Sequence, residues 1–229
     1  IVLNEKYDDV LKTYEKELNK MERLFFDNKS SPPISKNMPP KAGQIAWARS
    51  IMGRIKAPIK KFKNKSDQLM SPTFSKVAYK YVKLAKELDQ GYEQEIFNKW
   101  RDRNTDEAIN KLNKSILLKD EKDKENINYT VNFAPELKVI IREAKFLERI
   151  GKPIPQTIIN IALQEKDYMR HVDKLNQLLR GYNLALSGLK AVEKRLMQSE
   201  IKRLQKHMDK GAKNHNWFSL SIDEYIKEC

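Results

Sequence analysis

The sequence predicts a mainly α-helical protein, built as elongated bundles of long amphipathic helices. Apolar residues recur at intervals of three and four along most of the 229 residues, which is the spacing of one helix face. Charged residues make up 33% of the chain, as expected for exposed helix surfaces. Seven glycines and nine prolines are too few for a collagen-like or low-complexity protein.

The first two predicted helices are separated by a proline-rich connector. The first helix covers residues 3–26, whose apolar side chains form one stripe. The connector, 28–41, is expected to be extended, because proline lacks a backbone N–H and restricts the residue before it. A second helix is predicted to begin at Pro40 or just after it, since proline is well tolerated in the first helical turn. Pro58 is expected to kink this helix, because it offers no N–H to the carbonyl of Arg54.

A third, long helix is predicted to begin at Pro72, with Ser71 as its N-cap, and to have a weak point at Gly91. A separate shorter helix is predicted from Thr105. The stripe that defines the third helix consists of Phe74, Val77, Tyr81, Leu84, Leu88, Tyr92, Ile96 and Trp100.

The second half of the chain begins with a charged turn, 119–126, between two short apolar runs. Their alternation is compatible with one short β-hairpin near 116–131. A helix is then predicted from Pro135, ended by Gly151 as a C-cap. Helical periodicity later continues to Gly211, and an apolar tail follows with less clear periodicity. Between them lies a heptad-like seam formed by Tyr168, Val172, Leu175, Leu179, Tyr182, Leu186 and Leu189.

These elements predict three portions of the chain. A first helical bundle portion covers 1–118 and includes the connector 28–41. The charged turn and hairpin cover 119–133, and a second helical bundle portion covers 134–229.

The net charge of +14 is concentrated in one stretch. Between Asp27 and Asp67 there is no acidic residue but ten basic ones, whereas the rest of the chain sums to only +4. Two interpretations stay open: basic side chains that cover apolar surface while their heads are solvated, or a docking site for an acidic surface. The candidate docking residues are Arg49, Lys56, Lys60 and Lys63 on one flank of the second helix and Arg54, Lys61 and Lys65 on the other.

The sequence contains no recognisable pattern for catalysis, metal binding or nucleotide binding. No glycine-rich phosphate loop, His or Cys metal-ligand spacing, or nucleophile elbow occurs. We therefore expect no catalytic, cofactor or metal site. The single cysteine, Cys229, and the lack of a long apolar run predict a soluble intracellular protein in a reducing compartment. The first residue is Ile1 rather than Met, which predicts a piece of something longer.

Several blocks of sequence resemble one known family. The first block runs from Pro32 to Ser50, and the later ones include Val131–Leu137 and Arg142–Leu147. Together they resemble the N-terminal tail region of axonemal dynein heavy chains, over nearly the whole chain. One departure is Ala134, where the family would place an Asp that caps the next helix, and Asn132 is expected to serve instead. The residues that carry the resemblance are Pro39, Pro40, Gly43, Trp47, Ala48, Arg49, Pro58, Trp100, Asn132, Phe133, Pro135, Leu137, Gly151, Tyr182, Asn183 and Trp217.

The resemblance implies a non-catalytic tail segment of a microtubule motor in the axoneme of cilia or flagella. ATP and Mg²⁺ would then be needed only by a motor domain outside this chain. Implied partners are dynein intermediate and light chains, other heavy chains and docking proteins on doublet microtubules, with no nucleic acid and no membrane. The alternative is an independent basic helical module that binds nucleic acid or anionic membrane, and a weaker one is an enzyme completed by a partner. In the tail interpretation Trp47, Ile51, Ile55, Ile59 and Trp100 are expected to be buried.

Overall fold

A computed structural model of the chain describes residues 2–66, 72–120 and 127–229, and it confirms a mainly α-helical fold with one short hairpin. The chain divides into two compact units, Ile1–Asp102 with Lys145–Pro153, and Arg103–Ala144 with Ile154–Cys229. These ranges differ from the three predicted portions, because 103–118 belongs to the second unit and 145–153 to the first. The predicted cap Ser71, residues 121–126 of the charged turn, and the side chains of Lys63 and Lys65 lie outside the described part.

The first unit is built from long helices. Helix α1 is Val2–Asn28, α2 is Pro40–Ser66 and α3 is Pro72–Lys86, and a π-helical segment, Glu87–Glu93, connects α3 to α4, Gln94–Leu112. Helix α4 belongs to the first unit as far as Asp102. The predicted helix starts at Pro40 and Pro72 are confirmed. The separate helix from Thr105 is wrong, because α4 continues through that residue without a break. Pro58 lies inside α2, and the kink expected there stays a prediction.

The core of the first unit joins α1, α2, α3 and the π segment. Trp47 belongs to this core and stacks on Phe25, with ring centroids 5.9 Å apart. The expected burial of Trp47, Ile51, Ile55, Ile59 and Trp100 is confirmed. Burying one large apolar side chain contributes about 1.5–3 kcal/mol. The main cluster consists of Leu18, Met21, Phe25, Trp47, Ala48, Ile51, Ile55, Leu84 and Leu88.

The second unit contains the hairpin. Strand β1, Leu117–Asp120, pairs antiparallel with β2, Asn128–Val131, so that Leu117 lies opposite Val131. The hairpin is confirmed, but the assignment of Lys119 and Asp120 to the turn is wrong. Both belong to β1, and the charge of Lys119 is accommodated there because its Nζ lies 3.1 Å from the carboxylate of Asp209. Side chains alternate along the hairpin, and those of Leu117 and Tyr129 are buried.

Helix α5 is Glu136–Arg149, and Gly151 ends it as predicted. Gly151 has a φ of 79°, a conformation that favours glycine. Its N–H bonds to the carbonyl of Glu148 and the N–H of Lys152 bonds to the carbonyl of Leu147. This pair of hydrogen bonds is the Schellman arrangement, which satisfies the last carbonyls of a helix.

The remaining helices are α6, Gln156–Leu163; α7, Glu165–Ser187; α8, Ala191–Leu196; α9, Gln198–Lys213; and α10, Ile222–Glu228. Helix α9 contacts β1, whereas α7 contacts both β2 and α10. Within the described residues, no helix is both long and apolar enough to cross a bilayer.

Two predicted features of this region are wrong. The α7 seam buries Tyr168, Leu175, Leu179 and Tyr182, but Leu189 lies beyond the end of the helix. Gly211 does not end α9, because it lies inside the helix, where an added Cβ would be 2.4 Å from the hydroxyl of Tyr225. This glycine therefore makes room for a side chain of α10.

Candidate functional site

Three basic residues of α2 line two different grooves of the first unit. One groove, which we call the α2–α3 groove, has Arg49 and Lys56 in its lining; the other, the α1–α2 groove, has Arg54. For these three residues, the grooves correspond to the two flanks of the second helix named from the sequence. The α2–α3 groove is lined by Ala48, Arg49, Met52, Lys56, Tyr81, Val82, Ala85, Lys86, Leu88, Asp89, Gln90 and Glu93. The α1–α2 groove is lined by Tyr14, Glu17, Leu18, Lys20, Met21, Arg23, Leu24, Asp27, Arg54, Ile55 and Pro58.

Besides Arg49, four of the predicted docking residues are exposed. Arg54, Lys56, Lys60 and Lys61 all lie on the surface of α2. In the part of the chain that the structure describes, none of them has a hydrogen-bond or ion-pair partner. Their charges are therefore available to a partner of opposite charge.

Arg49 differs from these four because it is bound to a buried carboxylate. Its guanidinium lies 2.6 Å from Oε1 of Glu93 and also donates to the carbonyl of Ile150. The Nζ of Lys152 lies 2.8 Å from the same Oε1. The Glu93 side chain is only 7% exposed, so two cations that are distant in sequence meet on one shielded acid. The group joins α2, the π segment and the turn after α5.

The protonation of Glu93 follows from two opposing effects. Burial raises the pKa of a carboxyl group, but hydrogen bonds from Arg49 and Lys152 stabilise the carboxylate and outweigh burial. The pKa of Glu93 is therefore below its ordinary value. The hydrogen bond to Glu93 correspondingly raises the pKa of Arg49. Both groups are charged at neutral pH.

The π segment explains why an acid lies in this core. A π-helix bonds residues five apart, so that Leu88 and Glu93 share a face one turn apart. In an α-helix these two residues would be about 140° apart. The stripe predicted from the sequence therefore shifts by one position here, since Glu93 and Phe97 are buried while Tyr92 and Ile96 are only half-buried.

The other motif residues of the first unit support the connector and the core. An added Cβ on Gly43 would lie 2.3 Å from Cγ2 of Ile34, so the connector approaches α2 closely at this glycine. The Gly43 N–H bonds to the carbonyl of Pro39. Ala48 is buried, and Trp100 stacks on Phe97 with centroids 6.2 Å apart. These positions are structural.

In the second unit, Asn132, Phe133 and Trp217 are brought together. The indole N–H of Trp217 donates to the carbonyl of Asn132 at 2.8 Å, and the rings of Phe133 and Trp217 meet edge to face at 5.0 Å. The expected capping role of Asn132 is wrong. Its side-chain amide donates to the carbonyl of Ser115, and the first α5 N–H groups bond to the carbonyls of Ala134 and Pro135.

The other motif residues of the second unit differ in their burial and hydrogen bonding. Leu137 is buried in the first turn of α5, which Pro135 precedes. The hydroxyl of Tyr182 donates to the carbonyl of Ile127 at 3.2 Å, whereas Asn183 is exposed.

The ionisable clusters of the second unit are ion pairs between helices. Asp223 of α10 lies 2.7 Å from Nζ of Lys174 and 3.1 Å from Nε2 of His171, both on α7. Hydrogen bonds from these two side chains lower the pKa of Asp223. Across residues 2–66, 72–120 and 127–229, no group of three or more His, Cys, Asp or Glu side chains is arranged to hold a metal ion.

Comparison with known proteins relates this arrangement to one family. The family described as dynein heavy chain, N-terminal region 1, matches residues 2–225. This chain belongs to the dynein heavy chain family. The matched part is the N-terminal region of these heavy chains and not their ATPase motor domain.

Several relatives of this dynein segment come from cilia and flagella by name. Human dynein axonemal heavy chain 10 is 31% identical over 214 residues, which cover 90% of this chain and 5% of that protein. The dynein gamma chain of the flagellar outer arm from Chlamydomonas reinhardtii is 31% identical over 228 residues, covering 98% of this chain and 5% of that protein. The dynein-1-alpha heavy chain of the flagellar inner arm I1 complex from the same alga is 31% identical over 190 residues, or 82% of this chain and 4% of that protein. The dynein segment thus spans about one-twentieth of the length of these relatives.

The sequence reasoning missed two residues that the dynein segment uses at this site. Glu93 lies next to the predicted stripe, and Lys152 lies in a proline-bounded turn far along the chain. The sequence did contain one sign of the π turn. From Leu84 to Trp100 the predicted stripe advances by four residues four times in succession, which drifts off one face of an α-helix by about 160°. An extra residue in a π turn removes part of that drift.

Proposed function

We propose that this segment is part of the non-catalytic tail of a ciliary or flagellar axonemal dynein heavy chain. There it supports the assembly of heavy, intermediate and light chains and anchors a minus-end-directed, ATP-driven microtubule motor on the doublet microtubule. The motor domain lies outside this chain. The proposal assigns no ATP, metal ion or nucleic acid to the segment itself.

The match of residues 2–225 to the N-terminal region of dynein heavy chains carries this proposal. The names of the relatives support the axonemal location, since they include flagellar outer-arm and inner-arm heavy chains. The packing supports a mechanical role. Each unit has a buried apolar core, and ion pairs such as Arg49–Glu93 and Lys174–Asp223 fix side chains of elements far apart in sequence.

Fractionation of axonemes tests the proposal. A tag on the full-length heavy chain is expected to be recovered from demembranated axonemes together with intermediate and light chains. Deleting residues 2–225 from the full-length chain should leave the ATPase activity of the purified heavy chain intact and remove the protein from the axoneme. Recovery of the tagged chain in a nuclear or membrane fraction, without dynein subunits, would instead favour an independent basic module.

A further inference from the structure

The α2–α3 groove has an apolar floor that no described side chain covers completely. Met52 from α2 and Tyr81 and Ala85 from α3 are only partly buried there, and Val82 is 59% exposed. An exposed apolar strip between two helices is the kind of surface that binds the apolar face of a third helix.

The charged side chains beside this apolar floor include an excess of positive charge. At one end, Glu93 is bound by Arg49 and Lys152, and Asp89 lies close enough to Arg49 to contribute to its raised pKa. These two acids and two bases balance one another. The remaining charges of the lining are Lys56 on the α2 side and Lys86 on the α3 side. Neither lysine has an ion-pair partner within the described residues.

We propose that the α2–α3 groove binds an acidic amphipathic helix of another subunit. The apolar residues of that helix, spaced three and four apart, contact Met52, Tyr81 and Val82, and its carboxylates pair with Lys56 on one side and Lys86 on the other. This inference rests on the proposed role as an assembly tail and assigns one groove to one class of partner. A phosphate backbone would match the lysines but not the apolar floor between them.

The α1–α2 groove provides a matched control on the other flank of α2. Its α1 side carries both Glu17 and Asp27 together with Lys20 and Arg23, so its charge is mixed on a single helix. Arg54 and Lys61 on this flank are exposed, like Lys56, and belong to the same helix. Reversing two charges there changes the net charge by the same amount as reversing two charges at the α2–α3 groove.

The test uses the full-length heavy chain, purified with its associated subunits through a tag. Zero-length carbodiimide coupling joins amines to carboxylates in direct contact. We expect Lys56 and Lys86 to couple to Asp or Glu residues of one segment in another subunit, and apolar residues should recur in that segment every three or four positions. Coupling of both lysines only within this chain, to a second copy of the heavy chain, or to no carboxylate at all would overturn the proposal.

Charge reversal then measures the contribution of the groove. With Lys56→Glu and Lys86→Glu together, recovery of the coupled subunit should fall about tenfold, because two attractions become repulsions. With Arg54→Glu and Lys61→Glu it should not change. Replacing the coupled acids of the partner by lysine should restore recovery with the first variant. Equal loss of the coupled subunit with both double variants, or no loss with the first, would contradict the groove assignment. Because the heavy chain would still be recovered in its complex, this failure is distinguishable from failure of the proposed tail function.

Discussion

The two glycines of α2 give a direct test of how the connector packs. An added Cβ on Gly43 would lie 2.3 Å from Cγ2 and 3.3 Å from Cβ of Ile34, whereas an added Cβ on Gly53 would meet nothing within 4 Å. The same substitution, glycine to alanine, therefore inserts a methyl group into a tight contact at one site and into open space at the other.

The magnitudes follow from two opposing effects. Alanine is more favourable than glycine in a helix by about 1 kcal/mol, so Gly53→Ala should raise the free energy of unfolding by up to that amount. At Gly43 the same gain is opposed by overpacking, which costs about 1–3 kcal/mol. Ile34 is β-branched and relieves the overlap poorly by rotation. We expect Gly43→Ala to be less stable than Gly53→Ala by about 1–3 kcal/mol. Ile34→Ala should remove most of this difference.

Hydrogen exchange of α2 amides in the 229-residue chain, followed by mass spectrometry, measures these changes locally. This readout does not require the two units to unfold together. A double-mutant cycle between Ile34 and Gly43 isolates the contact, and a cycle between Ile34 and Gly53 is the control. Equal protection in Gly43→Ala and Gly53→Ala, or a coupling energy near zero for Ile34 and Gly43, would refute the close approach of the connector.

Three further substitutions test other contacts. Trp47→Ala should destabilise the first unit by about 3 kcal/mol or more because it empties a buried aromatic site, and an unchanged thermal melt would contradict that placement. Because the pKa of Glu93 is lower in the folded state, its charge stabilises the fold above the ordinary pKa, and this stabilisation is lost as the pH falls through the folded value. Glu93→Gln should therefore lower the melting temperature at pH 7 and reduce its dependence on pH below about 4.5, and parallel profiles for the two proteins would argue against the ion pair. Tyr129→Phe removes the 2.6 Å hydrogen bond to Asp209 and should cost about 1–2 kcal/mol in urea unfolding, whereas no change would show that this bond contributes nothing.

Proline positions and helical periodicity in the sequence predicted much of the structure of the first unit. Proline at the first helical position marked the starts of α2 and α3, and the periodicity of α2 identified the buried face around Trp47 and Ile51. The same periodicity placed Arg49 and Lys56 on one flank of α2 and Arg54 on the other, and these three residues line different grooves. These features depend on near neighbours in sequence, which is why a single sequence was sufficient.

The errors arose where distant residues decide local structure. Gly211 has the sequence signature of a helix end, but it lies inside α9, and the Tyr225 side chain occupies the space that a Cβ at this position would need. Asn132 has the chemistry of an N-cap, but its amide bonds to the carbonyl of Ser115. The partners of Glu93 lie 44 and 59 positions away, and no local pattern predicts such a meeting. Propensity cannot identify a partner that only the tertiary fold supplies.

The π segment has a consequence for how this helix can change length in evolution. Between Leu88 and Glu93 the helix holds one residue more than an α-helical turn would use. Deleting one residue there would convert the spacing from five to four and leave Phe97 and Trp100 on the face they now occupy. The same deletion elsewhere in α4 would rotate everything after it by about 100° and expose part of the core. The segment is thus the one point in the helix from Pro72 to Leu112 where we expect homologous chains to differ in length by a residue without repacking.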